Sequence, residues 1–287
     1  VSFPDQRQGA PTIDEYLSTG FADVDHADDS DAYCSCLALI DSLPYFKDCK
    51  RAGYDLLRLG PGMTVLDAGC GLGDDAFRIA NLVMPGGMVA ALDSSAVMIG
   101  KARLSDLAAR LPVEFQAADV RALPFADGSF SRCRIDRVLQ HVPRPEEAVS
   151  ELARVLEPGG LLLAYDNDWG TFTVASQDRA TTRALETFWC DSFTNGWIGR
   201  DLGELLLCCG LTGVEIYPST CIIRDFDTAD RVYNLRETVR RAAEKGIISP
   251  DRGRLWLEEL LDRWVSGSFL AAHTAYTVVA GKTAEGQ

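Results

Sequence analysis

The sequence is poor in the features that mark membrane, nucleic-acid or metal chemistry. It carries 3 histidines among 287 residues, no paired C-x-x-C, no basic run, no internal repeat and no low-complexity linker. No apolar run approaches the roughly 18 residues that a membrane span needs. The first residues, VSFPDQRQGAPTIDEYL, lack the basic-then-apolar layout of a signal peptide, so the chain reads as cytoplasmic with no membrane partner. Positive charge is scarce as well: 28 Lys and Arg against 42 Asp and Glu leave a formal net charge of -14. Phosphate backbones are held by clustered Lys and Arg, and a nucleic-acid partner is therefore not expected. The 9 cysteines are an odd number scattered through apolar segments, in a chain too large to need a disulfide framework. Cys34-x-Cys36 and Cys208-Cys209 could hold a soft metal or arsenic. Without histidine or C-x-x-C partners they read as small buried hydrophobes, and no metal site is expected.

What is present is an ordinary globular composition, 47% apolar and 24% charged, long enough for one large core with an added cap. From about 61 to 166 strand and helix signals alternate. MTVLDAG, MVAALD, VEFQAAD, SRCRIDRV and LLLAYD are short apolar runs closed by glycine, acid or turn residues. Between them, Ala76, Ile79, Ala80 and Val83 mark one helix face. SAVMIGKARLSDLAARL forms the next helix, N-capped by Ser94 or Ser95. A third opens at Pro145, with Val149, Leu152, Ala153 and Leu156 as its face and EPGG as its end. Five strands separated by helices predict a parallel sheet covered on both faces. Beyond it, RATTRALETFWCDSF and GRDLGELLLCCG read as helices and TGVEIYPSTCII as a strand. Residues 228–245 and 250–266 read as two further helices, and AAHTAYTVVAG as a last strand. The expected fold is α/β, a Rossmann-like, mainly parallel seven-stranded sheet with helices on both faces. Residues 1–60 would form an N-terminal helical cap on a domain of 61–287, with a helical lid inserted at about 226–268.

LDAGCGLGDD, residues 66–75, spends glycine at every second position after the first strand, where a doubly wound sheet binds ligands. Alone, GLGDDA matches the dinucleotide pattern G-x-G-x-x-A, a weak signal. Asp67 before the loop and Asp74 and Asp75 after it would repel a phosphate at the helix start. An amino group or a sulfonium suits the loop better.

With its companions the loop resembles the class I S-adenosylmethionine-dependent methyltransferases, in the small-molecule branch of quinone-biosynthesis and natural-product enzymes. VLDAGCGLG is similar to their first motif. Asp93 in ALDSS, Asp119 in AADVRALPF, FADGSFSRCRIDRVLQHV and ELARVLEPGGLLL follow in the family's order, over about 60 to 166. The resemblance implies S-adenosylmethionine as cofactor. It places the methionine part along Gly69, Cys70 and Gly71, with Asp67 holding the loop or reaching the amine through water. It puts both ribose hydroxyls on Asp93, the adenine between Ser94 and Met98, and its amine on Asp119 beside the Val120 amide. Arg137 would stand next to the methionine end, more basic than many relatives there. Asp93 also suits an N-cap and Asp119 a turn.

Methyl transfer from a sulfonium is an in-line displacement, and a base is needed only when the acceptor arrives protonated. His141 after the fourth strand and His273 at the last strand are the candidate catalytic bases. The acceptor, a small and partly apolar molecule, would meet Tyr16, Tyr33, Asp168, Trp169 and Trp197. Phe21, Phe193, Asp166 and Asn167 are further candidates. The implied activity is methylation of an O, N or C atom. The alternative is a protein that keeps the cofactor for a cyclase reaction or for regulation. Oligomeric state has no signal here.

Overall fold

Short apolar runs, each stopped by glycine or aspartate, become the strands of a single sheet in the computed structural model, which describes residues 17–21, 24–26 and 30–284. The chain enters through α1 (Leu17–Gly20), α2 (Ser30–Ser42) and α3 (Pro44–Leu56). It then alternates β1 (Thr64–Ala68), α4 (Asp74–Val83), β2 (Met88–Asp93), α5 (Ala96–Arg103), β3 (Val113–Ala117), β4 (Phe130–Asp136), α6 (Pro145–Val155) and β5 (Leu156–Val174). Two helices, α7 (Arg179–Ser192) and α8 (Ile198–Cys208), precede β6 (Thr212–Ile223). Three more, α9 (Phe226–Tyr233), α10 (Leu235–Glu244) and α11 (Pro250–Val265), separate it from β7 (Ala271–Gly281).

The strand order is β3-β2-β1-β4-β5-β7-β6. The first five strands run parallel, and β7 is antiparallel to both β5 and β6. Order reverses between β1 and β4, which opens a crevice at the carboxyl ends of those strands. Alternate residues serve opposite faces. Val65, Val89 and Ala91 pack with α4 and α5, whereas Leu66, Ala90, Leu92 and Leu162 pack with α6 and α8. The expected stripe Ala76, Ile79, Ala80, Val83 is buried throughout.

Three expectations change. The helix from 95 stops at Arg103, because Leu104 N–H bonds back to Lys101 O and the chain turns toward β3. Leu156 begins β5 instead of closing the helix face of α6, and the strand runs through EPGG and on to Val174. Residues 228–245 form two helices, since Asn234 adopts a left-handed φ of 52° between them.

The length of β5 shapes the site. Past Asp166 it leaves the parallel sheet and pairs only with β7, through a register shift between Asp168 and Thr173. This extension stands above the crevice. Trp169, Phe172 and Val174 on it pack with Trp189 of α7 and Phe226, Ala229 and Tyr233 of α9. On the sheet face opposite α8, Leu57 just after α3 packs against Leu163, Tyr165 and Val279.

Two glycines in helices test this packing with opposite signs. A Cβ on Gly199 would stand 2.7 Å from Asn167 C and 2.8 Å from Asp166 O, backbone that cannot yield. Gly100 is exposed on α5 with nothing within 4 Å of its Cβ position. In urea melts, Gly199→Ala is expected to destabilise by about 1–3 kcal/mol despite better helix propensity. Gly100→Ala should stabilise by about 0.4–1 kcal/mol.

Candidate functional site

At the crevice the glycine loop is held against β2 by its own amides. Gly69 N–H and Cys70 N–H both donate to Leu92 O, at 2.7 and 2.8 Å, and Gly73 N–H donates to Cys70 O. Gly71 N–H donates to Asp93 Oδ2 at 2.9 Å. Gly69 (φ 77°) meets Val138 with no room for a Cβ, and Gly73 (φ 83°) likewise meets Phe115. These four amides are therefore spent inside the fold. A phosphate would need them free, so the wall suits a cation better than an anion.

Asp93 lines the resulting cavity of about 310 Å³. Its second oxygen accepts from Ser95 N–H at 2.9 Å, while Ser95 Oγ, not Ser94, caps α5. A carboxylate offers about four lone-pair positions, so two remain for hydroxyl donors. Burial raises the Asp93 pKa, a cost that such donors would offset. Ser94, Met98, Asp119 and Val120 share this end of the cavity, as does Cys70. Asp119 already accepts from Arg121, at 2.6 Å from Nη2. The donor set, with its carboxylate and apolar slab, fits the ribose and adenine of the cofactor that the resemblance implies.

Beneath the loop lies a charge cluster that the sequence reading overlooked. Arg134, buried in β4, pairs with Asp67 of β1 at 2.8 Å, Asp75 of α4 at 2.9 Å and Asp136 at 2.5 Å. Asp75 also meets Lys50 Nζ at 2.9 Å and the Tyr54 hydroxyl, both from α3. Lys50 and Arg78 in turn bind Asp41 of α2. Burial opposes the charge on Asp75, but Arg134 and Lys50 hold its pKa well below the usual range. Asp67 goes the other way, pushed up by burial with Asp75 and Asp136 close by. The available signal was Arg134 itself, set between Cys133 and Ile135 at a position of β4 that is buried.

The other end of the cavity is aromatic. Trp169 stacks on Phe193 with centroids 4.9 Å apart, and Trp189 and Phe46 complete the box. Between the two ends runs the loop after β4. There Gln140 is buried with its whole amide committed: Oε1 accepts from Trp169 Nε1–H at 2.8 Å, and Nε2 donates to Arg137 O and to His141 Nε2 at 3.0 Å. Indole N–H is donor-only, which fixes the amide's orientation and makes His141 Nε2 the acceptor. His273 is similarly committed. Its Nδ1 pairs with the Tyr233 hydroxyl and its Nε2 with Asn167 Oδ1, each at 3.0 Å. Burial, aided by Arg137, lowers its pKa to about 3. Both histidines line the cavity, yet these nitrogens already have partners.

Several expected residues stand elsewhere. Asp67 lies under the loop in the Arg134 pair and not on the cavity wall. Tyr33 is buried behind the wall among Phe21, Val24 and Met98, whereas Phe21 itself reaches the cavity. Asp168 points away and binds Arg200 through both oxygens at 2.7 Å. Trp197 is 55% exposed on the outer surface under Arg200. Asp166 is buried off the cavity, where burial raises its pKa to about 8. Tyr16 lies outside the described residues. Arg137 lines the cavity, but its guanidinium lies over Phe46 at 5.4 Å, toward the aromatic end. Among the described residues no helix is long and apolar enough to cross a membrane, and no cluster of three or more ligating side chains could hold a metal.

Comparison with known proteins agrees with this geometry. Residues 65–160 match the methyltransferase domain family. The chain is 37% identical over 257 residues to an uncharacterized 37.1 kDa protein in transposon TN4556 of Streptomyces fradiae, covering 89% of this chain and 72% of that one. It is 40% identical over 119 residues to the ubiquinone/menaquinone biosynthesis C-methyltransferase UbiE of Pseudomonas savastanoi pv. phaseolicola, covering 41% of this chain and 46% of that protein. Its fold is similar to that of Haemonchus contortus phosphoethanolamine N-methyltransferase 2 in complex with S-adenosylhomocysteine. That likeness has a TM-score of 0.57 at 17% identity, over 92% of this chain and 59% of the other.

The commitment of His273 has a measurable signature. Below about pH 6.5 the unfolded chain takes up a proton at this histidine that the fold refuses down to about pH 3. Its contribution to stability is therefore complete above pH 6.5 and lost progressively as pH falls from there. His273→Gln keeps both hydrogen-bonding roles and does not titrate. Between pH 6.5 and 5 the wild type should lose about 2 kcal/mol more than this variant in urea melts.

Proposed function

As a member of the class I S-adenosylmethionine-dependent methyltransferases, the family to which this chain belongs, the protein takes its methyl group from S-adenosylmethionine, and we propose that it passes that group to an O, N or C atom of a small, partly apolar metabolite held at the aromatic end. The observation that carries this reading is one continuous cavity with the glycine loop and Asp93 at one end and the aromatic box at the other. When bound, the cofactor supplies an activated methyl carbon on a sulfonium. The protein's part is orientation and exclusion of water. Gly69, Cys70 and Gly71 would form a wall of backbone beside the methionine part. Asp93 would accept from both ribose hydroxyls, with Ser94, Met98, Asp119 and Val120 around the adenine. The loop after β4 would then separate cofactor from acceptor.

The acceptor side is built for holding and not for proton removal. His141 Nε2 accepts from Gln140, and both nitrogens of His273 are hydrogen-bonded. We therefore read His141 as a wall of the site and His273 as a structural support. A metabolite extract incubated with methyl-labelled S-adenosylmethionine tests the whole reading. Label should move to a small molecule as S-adenosylhomocysteine forms. Binding of the cofactor with no transfer to any acceptor would instead favour a non-methylating use of the same site.

Two variants refine it. Calorimetry should show S-adenosylhomocysteine binding weakened by roughly 30- to 1000-fold in Asp93→Ala, the value of two charge-assisted hydrogen bonds. Asp74→Ala, on the exposed rim, should change it far less. Turnover of His141→Asn against the same extract should stay within about tenfold of wild type, since loss of a general base costs about 10²- to 10⁴-fold.

A further inference from the structure

The acceptor's charge can be read from Arg137. This residue adopts a left-handed φ of 56°, a conformation that costs a non-glycine residue roughly 1–2 kcal/mol. The strain is fixed by its N–H, which donates to Tyr165 O at 2.7 Å, and the resulting turn carries the side chain into the cavity. The guanidinium is largely buried over the face of Phe46. Its Nε donates to Asp136 Oδ1 at 3.1 Å, and the other Asp136 oxygen is taken by Arg134. Among the described residues neither terminal nitrogen of Arg137 has a hydrogen-bond partner. A strained backbone that aims an open, half-neutralised fork into a cavity marks a binding function more than a structural one.

The aromatic wall offers that fork no competitor. From β5, β7, α7 and its following turn, and α9, the cavity receives Asn167, Trp169, Trp189, Phe193, Val232 and His273, none of them acidic. The acids that line the cavity come from elsewhere: Asp41, Asp75, Asp119 and Asp136 are paired with Lys50, Arg78, Arg121 or Arg134, Asp93 lies at the glycine-loop end and Asp74 on the exposed rim. A cationic acceptor at the aromatic end would meet Arg137 with no acid on that wall to offset it. On the reading that neither histidine serves as a base, an acceptor that arrives with its electron pair free is favoured. We propose that the acceptor is a flat, apolar molecule bearing an oxyanion, either a carboxylate or an enolate or phenolate, and that Arg137 binds this oxygen in two-pronged fashion and selects for it. The proposal rests on the reading that the aromatic end holds the acceptor.

The test uses matched probes on the S-adenosylhomocysteine-loaded protein, followed by tryptophan fluorescence and calorimetry. The probes are 2-naphthoate, 4-hydroxycoumarin (an enolate at neutral pH) and neutral 2-naphthamide. Wild type should bind at least one anion about 10- to 100-fold more tightly than the amide. The preferred anion then assigns the oxygen to the carboxylate or to the enolate class. Arg137→Met should abolish the preference and leave S-adenosylhomocysteine affinity unchanged. Arg137→Lys, which keeps the charge without the fork, should retain part of it. Equal binding of anions and amide by wild type would overturn the proposal. So would an Arg137→Met protein that keeps the preference but loses S-adenosylhomocysteine, since the fork would then serve the cofactor's carboxylate. Should Arg137→Met not fold, the wild-type preference and Arg137→Lys decide. Failure of wild type to bind S-adenosylhomocysteine would count against the cofactor reading alone, and the anion preference is then read on the ligand-free protein.

Discussion

Three carboxylates converge on the guanidinium of Arg134 beneath the glycine loop, and the parts of the molecule that form the cavity are tied together there. Asp67 brings the end of β1, Asp75 the start of α4 and Asp136 the end of β4. Through Asp75 the cluster continues to Lys50 and Tyr54 on α3, and through Lys50 and Arg78 to Asp41 on α2. With Arg137 included, four acids face four bases. Such a cluster is a poor source of net stability, because desolvating each buried ion costs on the order of several kcal/mol. Its value is positional. Removing one partner leaves an uncompensated buried charge, so the geometry tolerates only the complete set. Helices α2 and α3 are thereby registered on the same atoms that brace the glycine loop.

How far the sequence alone reached follows from the range of the interactions involved. The sheet and the placement of the glycine loop at its crevice were legible because they are written locally, in apolar runs, glycine punctuation and acids at strand ends. Seven strands occur in the expected order, with β5 longer at both ends than LLLAYD. Of the residues expected around the cofactor, Gly69, Cys70, Gly71, Asp93, Ser94, Met98, Asp119 and Val120 line one cavity, Asp67 lies beneath it, and Arg137 lines it toward the aromatic end. The aromatic end was much less so. LLLAYD reads as a strand closed by Asp166, yet β5 continues past it through a register shift and presents Trp169, Phe172 and Val174 beyond. Tyr33 and Phe46 are alike as letters, and only tertiary contacts send one behind the wall and the other onto it. Asp168 is expected at the site from its place at the carboxyl end of LLLAYD, and Trp197 as an aromatic. Arg200 claims both, as an ion pair with the first and a cation resting on the second.

The hydrogen-bond pattern separates two kinds of polar group in the cavity. Gln140, His273 and the four loop amides are fully committed to partners in the chain, and so hold their shape whatever binds. Asp93 and Arg137 keep capacity in reserve, one as an acceptor and one as a donor. A polar side chain kept in that condition is where binding energy is available, since a ligand recovers a desolvation cost that folding has already incurred.

The long strand β5 has a consequence for how such a protein can diversify. Its first half belongs to the parallel sheet, and its second half, with β7, α7 and α9, carries much of the aromatic wall. The glycine loop and Asp93 lie on an earlier stretch of chain, folded around Arg134. Chain order thus behaves like a tool with a fixed handle and an exchangeable bit. Segments after Asp166 can be recast for a new small molecule while the handle is left alone, provided the joint at residues 137–141 still matches both.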